Sequence, residues 1–87
     1  MIKKEITVTN ETGLHARPAS MFVQKASKFK SSIVIEKGDK TINAKSIISV
    51  LSGGIGKGTQ ITLVIEGEDE QEAEKALVAL IEGNFGE

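Results

Sequence analysis

The segment Gly13-Leu14-His15-Ala16-Arg17-Pro18 combines residue types that together can hold and transfer a phosphoryl group. His15, the only histidine of the chain, can act as a nucleophile and carry the group covalently. Arg17 adds a planar set of donors that matches a phosphate. Pro18 is compatible with the first turn of a helix, where free N–H groups and the positive dipole end attract anions. The segment therefore predicts a phosphohistidine at a helix N-terminus, with the phosphate facing the N–H groups of Ala16 and Arg17.

A histidine without covalent chemistry is the alternative interpretation of His15. A lone histidine is commonly a surface or capping residue, and the chain would then be a small-molecule-binding or protein-interaction module. That alternative predicts that His15→Ala leaves the function intact. The phosphohistidine hypothesis predicts that His15→Ala abolishes the function completely.

Hydrophobic periodicity predicts the elements that position this segment. Asp69 with Glu72 three residues later resembles a capping box at the start of the last helix. The predicted order is β-α-β-β-α-β-α, in one small α+β domain over residues 1–87. Its elements are a strand ending near Asn10, a helix from Ala16 to about Phe29, a hairpin with the charged tip 37–40, a short helix with Ser46 as N-cap, a strand over 60–66 and a helix closed by Gly83.

Composition excludes several classes of function. The chain has no cysteine, so it has neither disulfides nor a thiolate metal site. Residues 1–50 carry nine Lys/Arg and four Asp/Glu, whereas residues 51–87 carry two and eight. The basic half contains His15, which suits a phosphate site that docks an acidic partner. Nucleic-acid binding is disfavoured because Tyr and Trp are absent. No stretch approaches membrane-spanning length, and we expect a cytoplasmic protein.

Two segments imitate sites that we do not predict. Residues 53–59 are glycine-rich like a nucleotide-binding loop, yet Gly58 follows Lys57 where Ser or Thr is required. We interpret this segment as a flexible loop. The acidic run over 66–74 could suggest a divalent metal, but its position at a helix start favours interaction with the helix dipole. We therefore predict no metal and no cofactor.

Segments 13–19 and 45–48 resemble the two signatures of the HPr family, the histidine-containing phosphocarriers of the phosphoenolpyruvate:sugar phosphotransferase system. The resemblance covers essentially the whole chain. It implies an open-faced β-sandwich, with a four-stranded antiparallel sheet and three helices on one face. It also implies that His15 accepts a phosphoryl group on Nδ1 from phospho-enzyme I and passes it to enzyme IIA, with Arg17 as electrostatic partner. Such a protein is a carrier, not an enzyme, and is expected to be a monomer.

Ser46 has a structural and a regulatory interpretation. As an N-cap it stabilises a helix by about 1 kcal/mol. The resemblance to Gram-positive-type HPr implies that a dedicated HPr kinase/phosphorylase phosphorylates it. The phosphorylated form would then act as corepressor for a catabolite-control transcription factor.

The resemblance also implies a partner-docking face that is apolar in the middle and polar around it. Exposure is expected for Ile48 and Leu51, whereas a core position is the alternative for Ile47. Many relatives carry methionine at position 48 or 51, and Ile48 is stiffer than methionine. The predicted docking residues are Ala16, Ser20, Gln24, Ser27, Ile47, Ile48, Leu51 and Ser52.

Two alternatives remain within the same family. A purely regulatory HPr paralogue would act through Ser46 alone, but such paralogues lack the active-site histidine, and His15 is present. A carrier in a nitrogen-regulatory phosphotransfer branch would differ in the identity of its partner.

Overall fold

The computed structural model describes residues 1–87 and has the predicted order of elements. The strands are β1 (Ile2–Thr7), β2 (Ser32–Lys37), β3 (Lys40–Asn43) and β4 (Gln60–Glu66). The helices are α1 (Ala16–Ala26), α2 (Ile47–Ser52) and α3 (Glu70–Glu82), followed by a 3₁₀ turn over Asn84–Gly86.

The four strands form one antiparallel sheet in the order β1-β4-β2-β3, and β1 and β3 are its edges. In β4, Ile61, Leu63 and Ile65 are buried while the residues between them are half-buried. This alternation buries one face of the sheet. Phe22 of α1 and Leu77 of α3 belong to the same hydrophobic core as β4. The expected open-faced sheet with three helices is thereby confirmed.

The predicted hairpin is confirmed between β2 and β3. Lys37 pairs with Lys40 across a two-residue turn of Gly38 and Asp39. Gly38 has a φ of 60°, the left-handed conformation that tight hairpin turns require.

The first strand and first helix end earlier than predicted. β1 ends at Thr7 rather than near Asn10, because the chain turns inward and buries Asn10. α1 ends at Ala26 rather than about Phe29. The N–H groups of Lys28 and Phe29 bond to carbonyls three residues back, which tightens the chain into a turn. Phe29 still packs against the core.

The predicted capping box at α3 is wrong. The Asp69 side chain does not cap its own helix; instead its carboxylate accepts hydrogen bonds from Lys30 N–H (2.8 Å) and from the N–H and hydroxyl of Ser31. Glu70, not Glu72, reaches back three residues and accepts from Gly67 N–H at 3.1 Å. Asp69 therefore ties the start of α3 to the start of β2.

The end of α3 also differs in detail from the expected glycine-terminated helix. Gly83 is the C-cap, but its φ is −82°, outside the left-handed region. The left-handed residues are Asn84 and Phe85, with φ values of 53° and 56°. Phe85 is buried in the core, which accounts for a turn that an aromatic residue would otherwise avoid.

We expect Asp69→Asn to destabilise the fold at neutral pH and much less at low pH. The Ser31 hydroxyl first, and then the Lys30 N–H, lower the pKa of Asp69 from 3.8 to about 2. A carboxyl group with a depressed native pKa stabilises above its unfolded pKa, and that contribution is lost as pH falls through the native value. The melting temperatures of the native chain and Asp69→Asn should therefore differ by a constant amount above about pH 5 and converge as the pH falls from about 4 through about 2.

Glu68 supplies the matched control, because it is exposed and its carboxylate makes no hydrogen bond. Glu68→Gln should leave the melting temperature unchanged across the same range. A constant difference between the native chain and Asp69→Asn at all pH values would contradict the assignment.

Candidate functional site

His15 stands at the end of the loop between β1 and α1, and the residues just before it are firmly anchored. Gly13 N–H donates to the Asn10 carbonyl at 3.2 Å, closing a turn over residues 10–13. Leu14 is buried in the core, and its N–H donates to the Ile55 carbonyl at 2.9 Å. The loop is thus fixed to the core one residue before His15.

Gly13 is required by both conformation and space. Its φ is 68°, a left-handed conformation that favours glycine. A Cβ at this position would lie 2.6 Å from the Gly56 Cα and closer still to the Ile55 carbonyl oxygen. Segment 53–59 therefore supports the His15 loop, a role that the sequence analysis missed when it interpreted the segment only as a flexible loop. As predicted, the segment is no nucleotide-binding loop, because it leads into β4 instead of a helix.

His15 itself is exposed, and its ring makes no hydrogen bond. Its backbone is extended, with φ −141° and ψ 157°. Ala16 follows with a φ of 52°, which costs a non-glycine residue about 1–2 kcal/mol. The helical conformation of α1 therefore starts after this strained residue. The ring is left free to meet a partner.

Arg17 and Pro18 lie in the first turn of α1. The position of Pro18 in the first turn matches the prediction for a proline at this helix start, and its side chain is buried. Arg17 is exposed and forms no ion pair, and the first turn contains no acidic residue. No carboxylate of the chain therefore competes with an anion for Arg17. The predicted contacts of a phosphate with the N–H groups of Ala16 and Arg17 stay predictions.

Ser46 is the N-cap of α2, as predicted. Its Oγ accepts a hydrogen bond from Ser49 N–H at 3.2 Å. Ser46 is half-buried, and Val50 is the only buried residue of the helix. A phosphate on this hydroxyl would stand at the positive end of α2.

The predicted docking residues lie on two helices, α1 and α2, that contact each other. Ile48 is 74% exposed, and Ile47 and Leu51 are each 39% exposed. The expected exposure of Ile48 and Leu51 is confirmed, and the core alternative for Ile47 is wrong. The polar members Gln24, Ser27 and Ser52, together with Ala16, are exposed, and Ser20 is half-buried.

Two lysines that the sequence analysis did not single out anchor α2. Lys45 Nζ donates to the Phe29 carbonyl at 2.7 Å. Lys37 Nζ donates to the carbonyls of Gly53 and Gly54 at 3.2 and 2.9 Å. No pattern in the sequence separates these lysines from solvated ones, because the carbonyls they reach are distant in sequence.

One ion pair links the His15 loop to its supporting segment. Lys57 Nζ and Glu11 Oε1 are 2.6 Å apart. The hydrogen bond between them lowers the pKa of Glu11 and raises that of Lys57. Both side chains are exposed, so this pair contributes little to stability.

The remaining candidates for a site lie elsewhere or are absent. No group of side chains is arranged to hold a metal ion. No helix is long and apolar enough to cross a membrane. An open groove of about 860 Å³ lies beside Ile2 and α3, and it contains none of the predicted site residues.

Comparisons with known proteins cover nearly all of the chain. The family model described as the PTS HPr component phosphorylation site matches residues 2–83. The HPr-like protein Crh of Halalkalibacterium halodurans is 55% identical over 82 residues, which cover 94% of this chain and 98% of Crh. The phosphocarrier protein HPr of Neisseria meningitidis serogroup B is 46% identical over 87 residues, covering 100% of this chain and 98% of that protein.

Comparison with solved structures identifies the same kind of protein as the sequence comparison does. The crystal structure of HPr-C-His from Thermoanaerobacter tengcongensis superposes with a TM-score of 0.98 at 55% identity, covering 100% of this chain and 98% of that one. A crystal structure of an HPr dimer from the same organism gives a TM-score of 0.81 at 57% identity, covering 94% of each chain. The expected monomer is therefore not supported by this neighbour. Members of the HPr family are phosphocarriers and not enzymes. The match to the family model over nearly the whole length, together with these relatives, shows that the chain belongs to the HPr family of the phosphotransferase system.

Proposed function

We propose that the chain accepts a phosphoryl group on His15 from phospho-enzyme I and passes it to an enzyme IIA domain in sugar uptake. The observation that carries this proposal is an exposed histidine, free of hydrogen bonds, at the start of α1 beside an unpaired Arg17. The ring nitrogen nearest the backbone, Nδ1, attacks phosphorus, and the bond from phosphorus to the donor breaks as the new N–P bond forms.

Arg17 and the N-terminus of α1 stabilise the charge of the transferred group. The guanidinium offers paired donors, and the N–H groups of Ala16 and Arg17 add the helix terminus. Because His15 is exposed, the phosphoryl group stays open to the next acceptor. A site that holds the group from one side suits a carrier, which must release what it binds.

The docking face on α1 and α2 supplies recognition. Ile47, Ile48 and Leu51 form an exposed apolar centre, and the basic first half of the chain favours acidic partners. In this proposal the whole chain acts as one cytoplasmic domain without a cofactor. Light scattering of the native chain decides between a monomer and a dimer like that of the neighbouring HPr.

The test is intact mass after incubation with phosphoenolpyruvate, magnesium and enzyme I. The native chain should gain one phosphoryl group that is stable to base and lost in acid. Subsequent addition of an enzyme IIA domain should return the chain to its original mass. No gain with an enzyme I that phosphorylates another HPr would overturn the proposal.

A second function, carbon catabolite control through Ser46, is favoured by the likeness to Crh. The Crh relative is 55% identical to this chain, and a Crh structure is described as the Bacillus subtilis catabolite repression HPr. Ser46 lies beside the apolar centre of the docking face, so a phosphate there would place negative charge where an acidic enzyme I docks. We propose that HPr kinase/phosphorylase modifies Ser46 and that the product binds a catabolite-control transcription factor. His15 distinguishes this chain from a paralogue that acts through Ser46 alone.

We expect Ser46→Ala and Ser46→Asp to separate the two roles of this residue. Ser46→Ala removes the cap of α2 and should lower the free energy of unfolding by about 1 kcal/mol, with phosphorylation at His15 retained. Ser46→Asp keeps a capping oxygen but adds negative charge, so it should preserve stability and slow phosphorylation by enzyme I. Urea unfolding and initial rates of mass gain measure the two effects.

Ser49→Ala is the control for Ser46, because Ser49 lies on the same helix, is not one of the predicted docking residues, and contributes to the cap only through its backbone N–H. It should change neither stability nor the initial rate appreciably. If Ser46→Asp is phosphorylated as fast as the native chain, charge at this position does not oppose enzyme I, and the regulatory argument fails.

A further inference from the structure

We propose that Asn10 is a positioning residue for His15. Its side-chain amide holds the loop between β1 and α1 in the conformation that presents the histidine ring. This inference rests on the proposed phosphocarrier function for its consequence, but the loop geometry that it describes can be tested separately.

Asn10 holds Gly13 from both sides. Its backbone carbonyl accepts from Gly13 N–H at 3.2 Å, and its Nδ2 donates to the Gly13 carbonyl at 2.9 Å. Only the second bond needs a particular side chain. Asn10 is 2% exposed, so this bond is shielded from water. A hydrogen bond is electrostatically stronger in such a buried position than in water.

The donor, not the acceptor, is what this side chain contributes. Asn10 Oδ1 is buried and has no hydrogen-bond partner, which costs stability. The Nδ2 group faces a carbonyl that can only accept, so the amide orientation is determined. Thr12 contributes little, because it is exposed and its hydroxyl lies 3.4 Å from Asn10 Nδ2 and 3.5 Å from the Gly13 carbonyl, both at the long limit of a hydrogen bond.

The constraint on Gly13 extends to the reactive residue through two peptide units. Leu14 is fixed next by its bond to Ile55, and His15 follows with no bond of its own. Ala16 then adopts its left-handed conformation. Such a strained residue persists only where its surroundings over-determine it. On the loop side of Ala16, the bond from Asn10 Nδ2 to the Gly13 carbonyl is the one buried side-chain hydrogen bond that fixes the backbone.

The test compares Asn10→Ala with Ser31→Ala. Ser31 is a similarly buried polar residue that loses its bond to Asp69 on substitution, and it follows the far end of α1 from His15. Two quantities are measured at a temperature where both variants are folded. The first is the hydrogen-exchange rate of the Leu14 amide, and the second is the rate of phosphorylation by enzyme I and phosphoenolpyruvate. Urea unfolding gives the global stability of each variant for comparison.

We expect Asn10→Ala to speed Leu14 exchange by roughly tenfold relative to Ser31→Ala, and to lower kcat/KM for phosphorylation by a similar factor. Thr12→Val should alter neither appreciably. Leu14 exchange equal in Asn10→Ala and Ser31→Ala would overturn the inference, as would faster exchange with an unchanged phosphorylation rate. If enzyme I phosphorylates no form, native included, the proposed function fails, whereas the exchange data still decide whether Asn10 holds the loop. If Asn10→Ala does not fold, Asn10→Ser, which keeps a shorter donor, is measured in its place against the same criteria.

Discussion

Replacing His15 with alanine is expected to abolish phosphoryl acceptance while leaving the fold intact. The imidazole is the only group at the start of α1 that can form a covalent bond to phosphorus and release it again. Its side chain is exposed and makes no hydrogen bond, so its removal should change the free energy of unfolding by no more than about 0.5 kcal/mol. Intact mass should show no phosphoryl group on His15→Ala under conditions where the native chain is fully converted.

Gln24→Ala is the matched control, because Gln24 is exposed on the same helix and is one of the predicted docking residues. It should still gain one phosphoryl group, at a lower rate if the face is used. A base-stable, acid-labile mass gain on His15→Ala would contradict the assignment of the acceptor. Retention of biological function by His15→Ala would instead support the interaction module that was the alternative interpretation of this residue.

Gly13→Ala is expected to be the most destabilising single substitution near the site, by about 3 kcal/mol. Two costs add at this position. An alanine with a φ of 68° is disfavoured, and its methyl group would overlap the backbone of Ile55 and Gly56. Because backbone cannot move aside as a flexible side chain can, the loop and segment 53–59 must separate. Urea or thermal unfolding measures the loss, and phosphorylation at low temperature should also be slowed.

Gly38→Ala measures the first cost alone. Gly38 has a similar φ of 60°, but nothing lies within 4 Å of the added Cβ. This variant should lose only about 1 kcal/mol, the conformational part. Equal losses at both glycines would show that segment 53–59 does not press on the His15 loop.

The candidate site could be read from sequence because its chemistry is local. His15, Arg17 and Pro18 lie within four consecutive residues, and Ser46 directly precedes the apolar run of α2. Capping and proline preferences act over one helical turn, so spacing alone predicts where such residues stand. The order of elements was predictable for the same reason, since alternating and helical periods differ over short windows.

The parts that sequence analysis missed depend on contacts between distant segments. Asp69 was expected to cap its own helix, yet its carboxylate is taken by Lys30 and Ser31, some forty residues earlier. Capping preference is weak compared with three hydrogen bonds from another element. The support that Ile55 gives to Leu14 likewise joins two loops that no local pattern relates. The burial of Asn10 is of the same kind, because asparagine in a turn is ordinarily explained by the turn alone.

The limited burial of α2 bears on how its part of the predicted docking face can adapt to a partner. Val50 is the only buried residue of this six-residue helix. The helix also contacts α1 and β3, and it is held by the Ser46 cap and by the two lysine side chains that reach backbone carbonyls. Its apolar surface consists of branched isoleucine and leucine, which change rotamer less readily than methionine. We therefore expect a partner of different shape to be accommodated by a small shift of the helix as a unit. We expect recognition to depend on a backbone element that carries stiff side chains, so that a change at the Ser46 end alters the contacts of Ile47, Ile48 and Leu51 together.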